Sequence, residues 1–392
     1  MIQSLALMIL VSLCLSYLMQ KINLPPLIGM LLSGILLGPY VLNLISPSIL
    51  SISADLRQIA LIIILMRAGL SLNLADLKKV GRPAFFMSFL PATFEIGLII
   101  FLAPKLMAIT YLEAAILGTV LSAVSPAVVV PQMLKVLEKG YGRSKGVPQL
   151  ILAGASVDDI YVIVWFSTFM EIFRSGHFSV YLLLTVPMAI VVGCLFGFLV
   201  GSTLVKLFKA FHIRDTSKLL IILASAFLLV SIEKTLQAWL PMSGLLAVMV
   251  LGITFLQQYD RLATRLSVRF SKIWLVAELL LFMLVGASLD LSYMGEAGLS
   301  AVLLIAVALL FRSLGVFISL LKTPLTLKEK LFCTIAYLPK ATVQAAIGGI
   351  PLASHVPAGK LILTISILAI LITAPLGAIG IDQSYTKLLE KD

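Results

Sequence analysis

Asp158 and Asp159 stand side by side in an apolar run, LILAGASVDDIYVIVWFSTFM, bounded by Gln149 and Glu171. A charge at bilayer depth is costly, and an intramembrane acid is by default a functional group. Two adjacent acids need two partners, whether protons, small cations or basic side chains. Neighbouring helix residues point about 100° apart. One acid can therefore face a crossing point in the fold while the other faces a neighbour or a cavity. Burial and nearby cations act on a carboxylate in opposite directions, so such a group can hold a proton or Na⁺. Oxygen ligands suit hard alkali cations. Ser125, Ser156, Thr119 and carbonyls freed by helix breaks are expected to complete the shell.

Four more charges fall near the middle of apolar spans: Arg67, Glu95, Arg312 and Lys340. Glu95 and Arg312 are 217 residues apart, an offset that recurs elsewhere in the chain, and they are expected to form an ion pair. Arg312 does not release its proton, which makes it structural or electrostatic. Lys340, beside Pro339, is placed to neutralise a helix C-terminal dipole. Arg67 is expected either to pair with an Asp of the site or to reach a water-filled cavity. Glu278, nearer the end of its span, reads as a cavity or packing residue.

The elements that must position these groups are membrane helices. Of 392 residues, 60% are hydrophobic and 12% charged, and the mean hydropathy is +1.12. The balance specifies an all-α polytopic membrane protein with no soluble domain. The apolar runs are continuous, which excludes an outer-membrane barrel. Thirteen spans are expected, at 2–20, 26–43, 57–74, 83–104, 111–134, 149–173, 179–205, 217–236, 239–257, 272–291, 297–321, 329–350 and 360–381. Loops on one side carry nineteen Lys and Arg and those on the other carry five. The positive-inside rule then puts the N-terminus outside and the C-terminus in the cytoplasm. The net charge of +11 is a topology signal rather than a nucleic-acid patch. Cys14, Cys194 and Cys333 lack metal-ligand spacing, and His177, His212 and His355 fall in or near loops. No phosphate loop, dinucleotide fingerprint, zinc-protease or serine-hydrolase motif is present, so neither an enzyme nor a nucleotide-driven pump is indicated.

The chain repeats itself weakly. Pro26 pairs with Pro241 and Gly29 with Gly244 at an offset of 215, Gly69–Leu74 pairs with Gly286–Leu291 at 217, and Ser125–Pro126 pairs with Leu338–Pro339 at 213. The copies lie seven spans apart, an odd number, so they enter the membrane from opposite sides: an inverted-topology repeat. Pro126, Pro131 and Pro339 interrupt corresponding segments. Two broken crossing helices are expected there, with freed carbonyls and half-helix dipoles at the midplane.

The motifs Ala155-Ser-Val-Asp158-Asp159, Phe311-Arg312-Ser-Leu-Gly-Val and Leu338-Pro339-Lys340-Ala-Thr-Val-Gln344-Ala-Ala resemble the monovalent cation/proton antiporter superfamily. The resemblance is to sodium–proton antiporters of the two-Asp type, in the branch containing animal sodium–hydrogen antiporters and bacterial relatives. It implies a core domain at 83–173 and 297–381, a dimer domain at 1–74 and 217–291, and a linker helix at 179–205. It also implies a homodimer in membrane lipid, elevator-type alternating access, Na⁺ or Li⁺ exchanged for H⁺, and no cofactor beyond the transported ions. Asp159 is then the cation-binding acid and Asp158 its auxiliary. In electrogenic two-Asp relatives a Lys matches the position of Arg312, so this chain is expected to exchange one for one, electroneutrally. A K⁺/H⁺ exchanger and a Na⁺-coupled organic solute symporter are the alternatives. Short loops suggest a bacterial inner membrane.

Overall fold

The computed structural model describes residues 1–71, 81–176, 180–211, 213–236 and 242–391. Asn73, His177, His212 and Pro241 lie outside these residues. The described elements are helices, with one isolated bridge between Tyr141 and Lys391. Nine stretches among the described residues are long and apolar enough to cross a membrane. Pro26–Leu37, Gly244–Gln258 and Thr342–Ala353 are shorter apolar helices. The fold is that of an all-helical polytopic membrane protein.

In chain order the helices are α1 Ile2–Lys21, α2 Pro26–Leu37, α3 Pro47–Ser51, α4 Ser53–Ser71, α5 Arg82–Met87, α6 Leu90–Met107, α7 Tyr111–Leu121, α8 Pro126–Glu138, α9 Val147–Ser175, α10 Val180–Ala210, α11 Asp215–Leu236, α12 Gly244–Gln258, α13 Asp260–Ala287, α14 Leu291–Ser319, α15 Leu327–Ala336, α16 Thr342–Ile347, α17 Ile350–Ala353 and α18 Gly359–Leu388. They fall into two compact units. One comprises residues 55–74 and 171–280; the other comprises 1–54, 75–170 and 281–392 and contains both acids of the Asp pair.

Within the larger unit the breaks follow the prolines. Pro91 has no N–H to donate and its ring crowds the preceding turn, so the expected span at 83–104 is divided into α5 and α6. Pro126 is the first residue of α8, where a missing N–H costs nothing, and the chain is unwound from Ser122 to Ser125. Pro131 lies inside α8 rather than at the break. Pro339 stands in the second unwound stretch, between α15 and α16. By contrast α9 runs 29 residues without an internal break and places the Asp pair near its middle.

The two broken helices start alike. Thr110 and Glu113 form a capping box on α7, and Thr326 and Glu329 form one on α15, an offset of 216. Each glutamate has a further partner. Glu113 Oε1 accepts from the Ala358 N–H at 3.0 Å, where α18 begins. Glu329 Oε1 lies 3.1 Å from Lys145 Nζ, just before α9. This hydrogen bond to Glu329 raises the Lys145 ammonium above its ordinary range. The same loop is tied to the end of α18, with Lys139 donating to Tyr385 Oη at 2.7 Å and Gly142 N–H to the Glu390 carbonyl at 2.9 Å, and Lys135 in the last turn of α8 is paired with Asp382. Thr110→Ala removes the hydroxyl half of one capping box. It is expected to lower stability by about 1 kcal/mol, read as a lower unfolding temperature in detergent; an unchanged temperature would show that the box contributes nothing.

Candidate functional site

The site begins where α6 and α14 pack against each other. Gly315 permits the approach: a Cβ there would meet Pro91 Cα at 2.7 Å. Glu95 is one turn beyond Pro91 and Arg312 is three residues before Gly315, so both share the contact faces. The approach brings Arg312 Nη1 to 3.0 Å from Glu95 Oε2. Both side chains are fully buried.

Arg312 does more than form that pair. Its Nε donates to the Tyr337 carbonyl at 2.8 Å, at the C-terminal end of α15. Nη1 also donates to the Ser122 carbonyl, at the C-terminal end of α7. Nη2 donates to Asp158 Oδ2 at 2.9 Å. One guanidinium thus neutralises the C-terminal ends of both broken helices, where the helix dipole favours a cation, and holds two carboxylates. Lys340 occupies the adjoining position: Nζ lies 2.7 and 2.9 Å from the two Glu95 oxygens and donates to the Leu121 carbonyl at 2.6 Å. Gln344 Nε2 donates to the Leu121 and Ala123 carbonyls at 3.1 and 2.9 Å. The carbonyls freed by the first break therefore already have donors, in contrast to the expectation that they would be open to a cation.

The two unwound stretches cross at Ser125. Its N–H donates to the Pro339 carbonyl at 2.9 Å, and its Oγ lies 3.5 Å from Thr342 Oγ1. A side chain of the following helix also holds one N–H of each stretch. Asp158 Oδ2 accepts from Val124 N–H at 2.9 Å, and Thr373 Oγ1 accepts from Lys340 N–H at 2.9 Å.

Asp159 stands apart. It is 9% exposed, and its Oδ1 is buried without a hydrogen-bond partner among the described residues. Arg312, Lys340, Glu95 and Asp158 balance as two cations and two anions joined by ion pairs of 2.7 to 3.0 Å. Asp159 is the odd charge of the cluster.

Of the remaining expected site residues, Thr119 is fully buried and its hydroxyl donates back to the Ala115 and Ile116 carbonyls of its own helix at 3.1 and 2.8 Å. The side chain of Ser156 lies outside the described set. Arg67 belongs to the smaller unit, where it interacts electrostatically with Glu278, which also hydrogen-bonds Trp274. Sequence reasoning did not single out Tyr337, Thr373 or the two capping boxes. The boxes had a signal, Thr-x-x-Glu twice at an offset of 216; Tyr337 had none.

The chain is similar over nearly its whole length to known proteins. The family model described as "Sodium/hydrogen exchanger, transmembrane" matches residues 7–383. Sodium/hydrogen exchanger 9B2 of Mus musculus is 34% identical over 383 residues, 94% of this chain and 69% of that protein. Sodium/hydrogen exchanger 9B1 of Homo sapiens is 34% identical over 387 residues, 94% of this chain and 73% of that protein. The solved structure of the sodium proton antiporter MjNhaP1 from Methanocaldococcus jannaschii at pH 8 has the same fold, with a TM-score of 0.86, 22% identity, and coverage of 98% of this chain and 97% of that one.

Removing one partner from a buried ion network strands the others and costs about 3–5 kcal/mol. Arg312→Gln is therefore expected to lower the unfolding temperature in detergent far more than Thr110→Ala. A drop no larger than that of the cap variant would refute the central place given to the guanidinium.

Proposed function

Since the chain belongs to the sodium/hydrogen exchanger family, we propose that it exchanges Na⁺ or Li⁺ for H⁺ across the membrane, the two competing for Asp159. The observation that carries this reading is the charge balance of the buried cluster. Asp158 is held by Arg312 and by the Val124 N–H, whereas Asp159 has no such partner. A carboxylate at bilayer depth is costly when bare. Binding one proton or one alkali cation brings the cluster to neutrality. Asp158 acts as an auxiliary acid that fixes Arg312 and the first unwound stretch. Ser125, at the crossing, and Ser156, three residues before Asp159, would supply hydroxyls to a cation shell.

One odd charge implies one ion per direction, which supports one-for-one, electroneutral exchange. Arg312 supports it too, since a guanidinium cannot serve as a second proton carrier. The thirteen-span topology, with the N-terminus outside and the C-terminus in the cytoplasm, rests on the distribution of Lys and Arg. Contacts between residues about 217 apart, Glu95 with Arg312 and Ser125 with Thr342, support the inverted repeat. Elevator-type movement of a core at 83–173 and 297–381 against a dimer domain at 1–74 and 217–291, in a homodimer, completes the reading.

The test is proton movement in proteoliposomes carrying a pH-sensitive dye, on addition of Na⁺, Li⁺, K⁺ or choline. Na⁺ and Li⁺ are expected to drive proton release, and Asp159→Asn to abolish it while the protein remains folded. A response to K⁺ alone would move the assignment to a K⁺/H⁺ exchanger, and no response to any alkali cation would sink the exchanger reading. Competition also fixes a pH dependence. The apparent KM for Na⁺ should fall as pH rises, about tenfold per unit on the acid limb, because each unit removes tenfold of the competing proton. A KM independent of pH there would exclude a shared site. Clamping the membrane potential with valinomycin and K⁺ should leave the steady-state Na⁺ gradient unchanged; a voltage-dependent gradient would overturn electroneutrality.

A further inference from the structure

The helix that carries both acids, α9, is fastened to α15 at the site. Arg312 Nη2 donates to Asp158 Oδ2 at 2.9 Å, and its Nε donates to the Tyr337 carbonyl at 2.8 Å, directly after α15. One such attachment fixes a point on a helix and leaves it free to tilt and turn about that point. Between the two helices the packing is apolar. Ile151 of α9 and Phe332 of α15 belong to one buried cluster, and a Cβ on Gly154 would overlap Tyr337 Oη. Apolar burial is non-directional, so the register of α9 calls for a second directional contact.

That contact lies at the other end of the same pair of helices. Lys145, two residues before α9, has its Nζ 3.1 Å from Glu329 Oε1 in the first turn of α15. The Glu329 side chain is 2% exposed. Its Oε2 accepts from the Thr326 N–H and hydroxyl at 2.7 and 2.9 Å, so its own helix holds the carboxylate in place. Lys145 is held from its other side by Glu390 Oε2 at 3.4 Å. The segment 382–391 seats Glu390. Tyr385 and Leu389 are buried in the cluster that contains Ile151 and Phe332. The Tyr385 ring meets Tyr141 edge-on at 5.2 Å, and Gly142 N–H donates to the Glu390 carbonyl at 2.9 Å. Gly142 has φ +66°, and a Cβ there would crowd Leu389 Cδ1 at 3.3 Å. Glycine at this position therefore both makes the turn and admits the segment. We propose that Lys145 is a positioning residue for Asp158 and Asp159, the second fastening of α9 to α15, and that the segment 382–391 is the strap that keeps it seated. With both fastenings closed, the acid pair keeps one place relative to the crossing of the broken helices.

This inference rests on Asp159 being the exchange site. Lys145→Gln alone would strand the Glu329 charge, so it is combined with Glu329→Gln, which keeps the capping box because Gln also serves at that position. The double variant thus opens the fastening without leaving a buried charge. In proteoliposomes at one alkaline pH, its apparent KM for Na⁺ is expected to rise about threefold or more, since a misplaced ligand weakens the cation shell. Lys145→Arg, which keeps the cation, is expected to retain the wild-type KM. Leu389→Ser, which unseats the strap, is expected to raise KM in the same direction by a smaller factor. Gel filtration and thermal unfolding establish that the variants are folded. A folded double variant with the wild-type KM overturns the proposal. So does a loss confined to maximal rate, which would make the contact merely structural, or a Lys145→Arg protein as impaired as the double variant. A folded Leu389→Ser protein with the wild-type KM overturns the strap. If the wild type itself shows no cation-dependent proton movement, the exchanger reading fails and this inference falls with it; if the wild type exchanges and the double variant matches it, this inference alone fails.

Discussion

The guanidinium of Arg312 is the constraint on which the rest of the site depends. A helix interrupted inside a membrane leaves carbonyls at its C-terminal end and a partial negative charge that no water can reach. This fold interrupts two. Arg312 meets the ends of both, through Ser122 and Tyr337, and the planar group still has donors for Glu95 and Asp158. A lysine has a point charge and could not span four acceptors in fixed directions. The buried carboxylates are in turn what makes a buried guanidinium tolerable. Crossed helices, ion network and Asp pair therefore stand or fall as one assembly.

Residues 217 apart meet in two places, Glu95 with Arg312 and Ser125 with Thr342. Other contacts come in matched sets. Val124 N–H is held by Asp158 and Lys340 N–H by Thr373, while Glu113 reaches Ala358 and Glu329 reaches Lys145. The departures from symmetry are informative. Where the first copy uses a carboxylate to hold the unwound stretch, the second uses a hydroxyl. The hydroxyl completes the local hydrogen bonding without adding charge.

Much of this was legible in the sequence because intramembrane charge is rare. Asp158, Asp159, Glu95, Arg312 and Lys340 stood out against an apolar background, and the 217-residue offset links Glu95 and Arg312, which lie 3.0 Å apart. Pro126 and Pro339 marked the breaks for the same reason, as backbone groups that cannot continue a helix. What was not legible depends on direction rather than type. Pro131 is chemically equivalent to Pro126 yet sits within α8. Thr119 carries a suitable hydroxyl yet turns it to its own helix. The freed carbonyls were foreseen but not their capture by Lys340 and Gln344, which requires side chains 219 and 223 residues away to arrive at one point. Arg67 looked like the other bilayer charges, and only the structure gives it Glu278 as its electrostatic partner.

Charge counting also accounts for why such a site would exchange ions rather than leak them. Four members of the cluster cancel, leaving the fifth, Asp159, to decide its net charge. With a proton or Na⁺ bound, the cluster is neutral and can be enclosed by apolar surroundings at modest cost. With neither bound it carries one uncompensated negative charge, which a low-dielectric barrier opposes by several kcal/mol. On the proposed reading the site would therefore change sides readily only when loaded, and would return loaded with whichever ion the other side supplies. Coupling on this account needs no communication between separate sites. It follows from placing one unpaired acid beside an otherwise balanced network whose every other charge is fixed by the crossing of two broken helices.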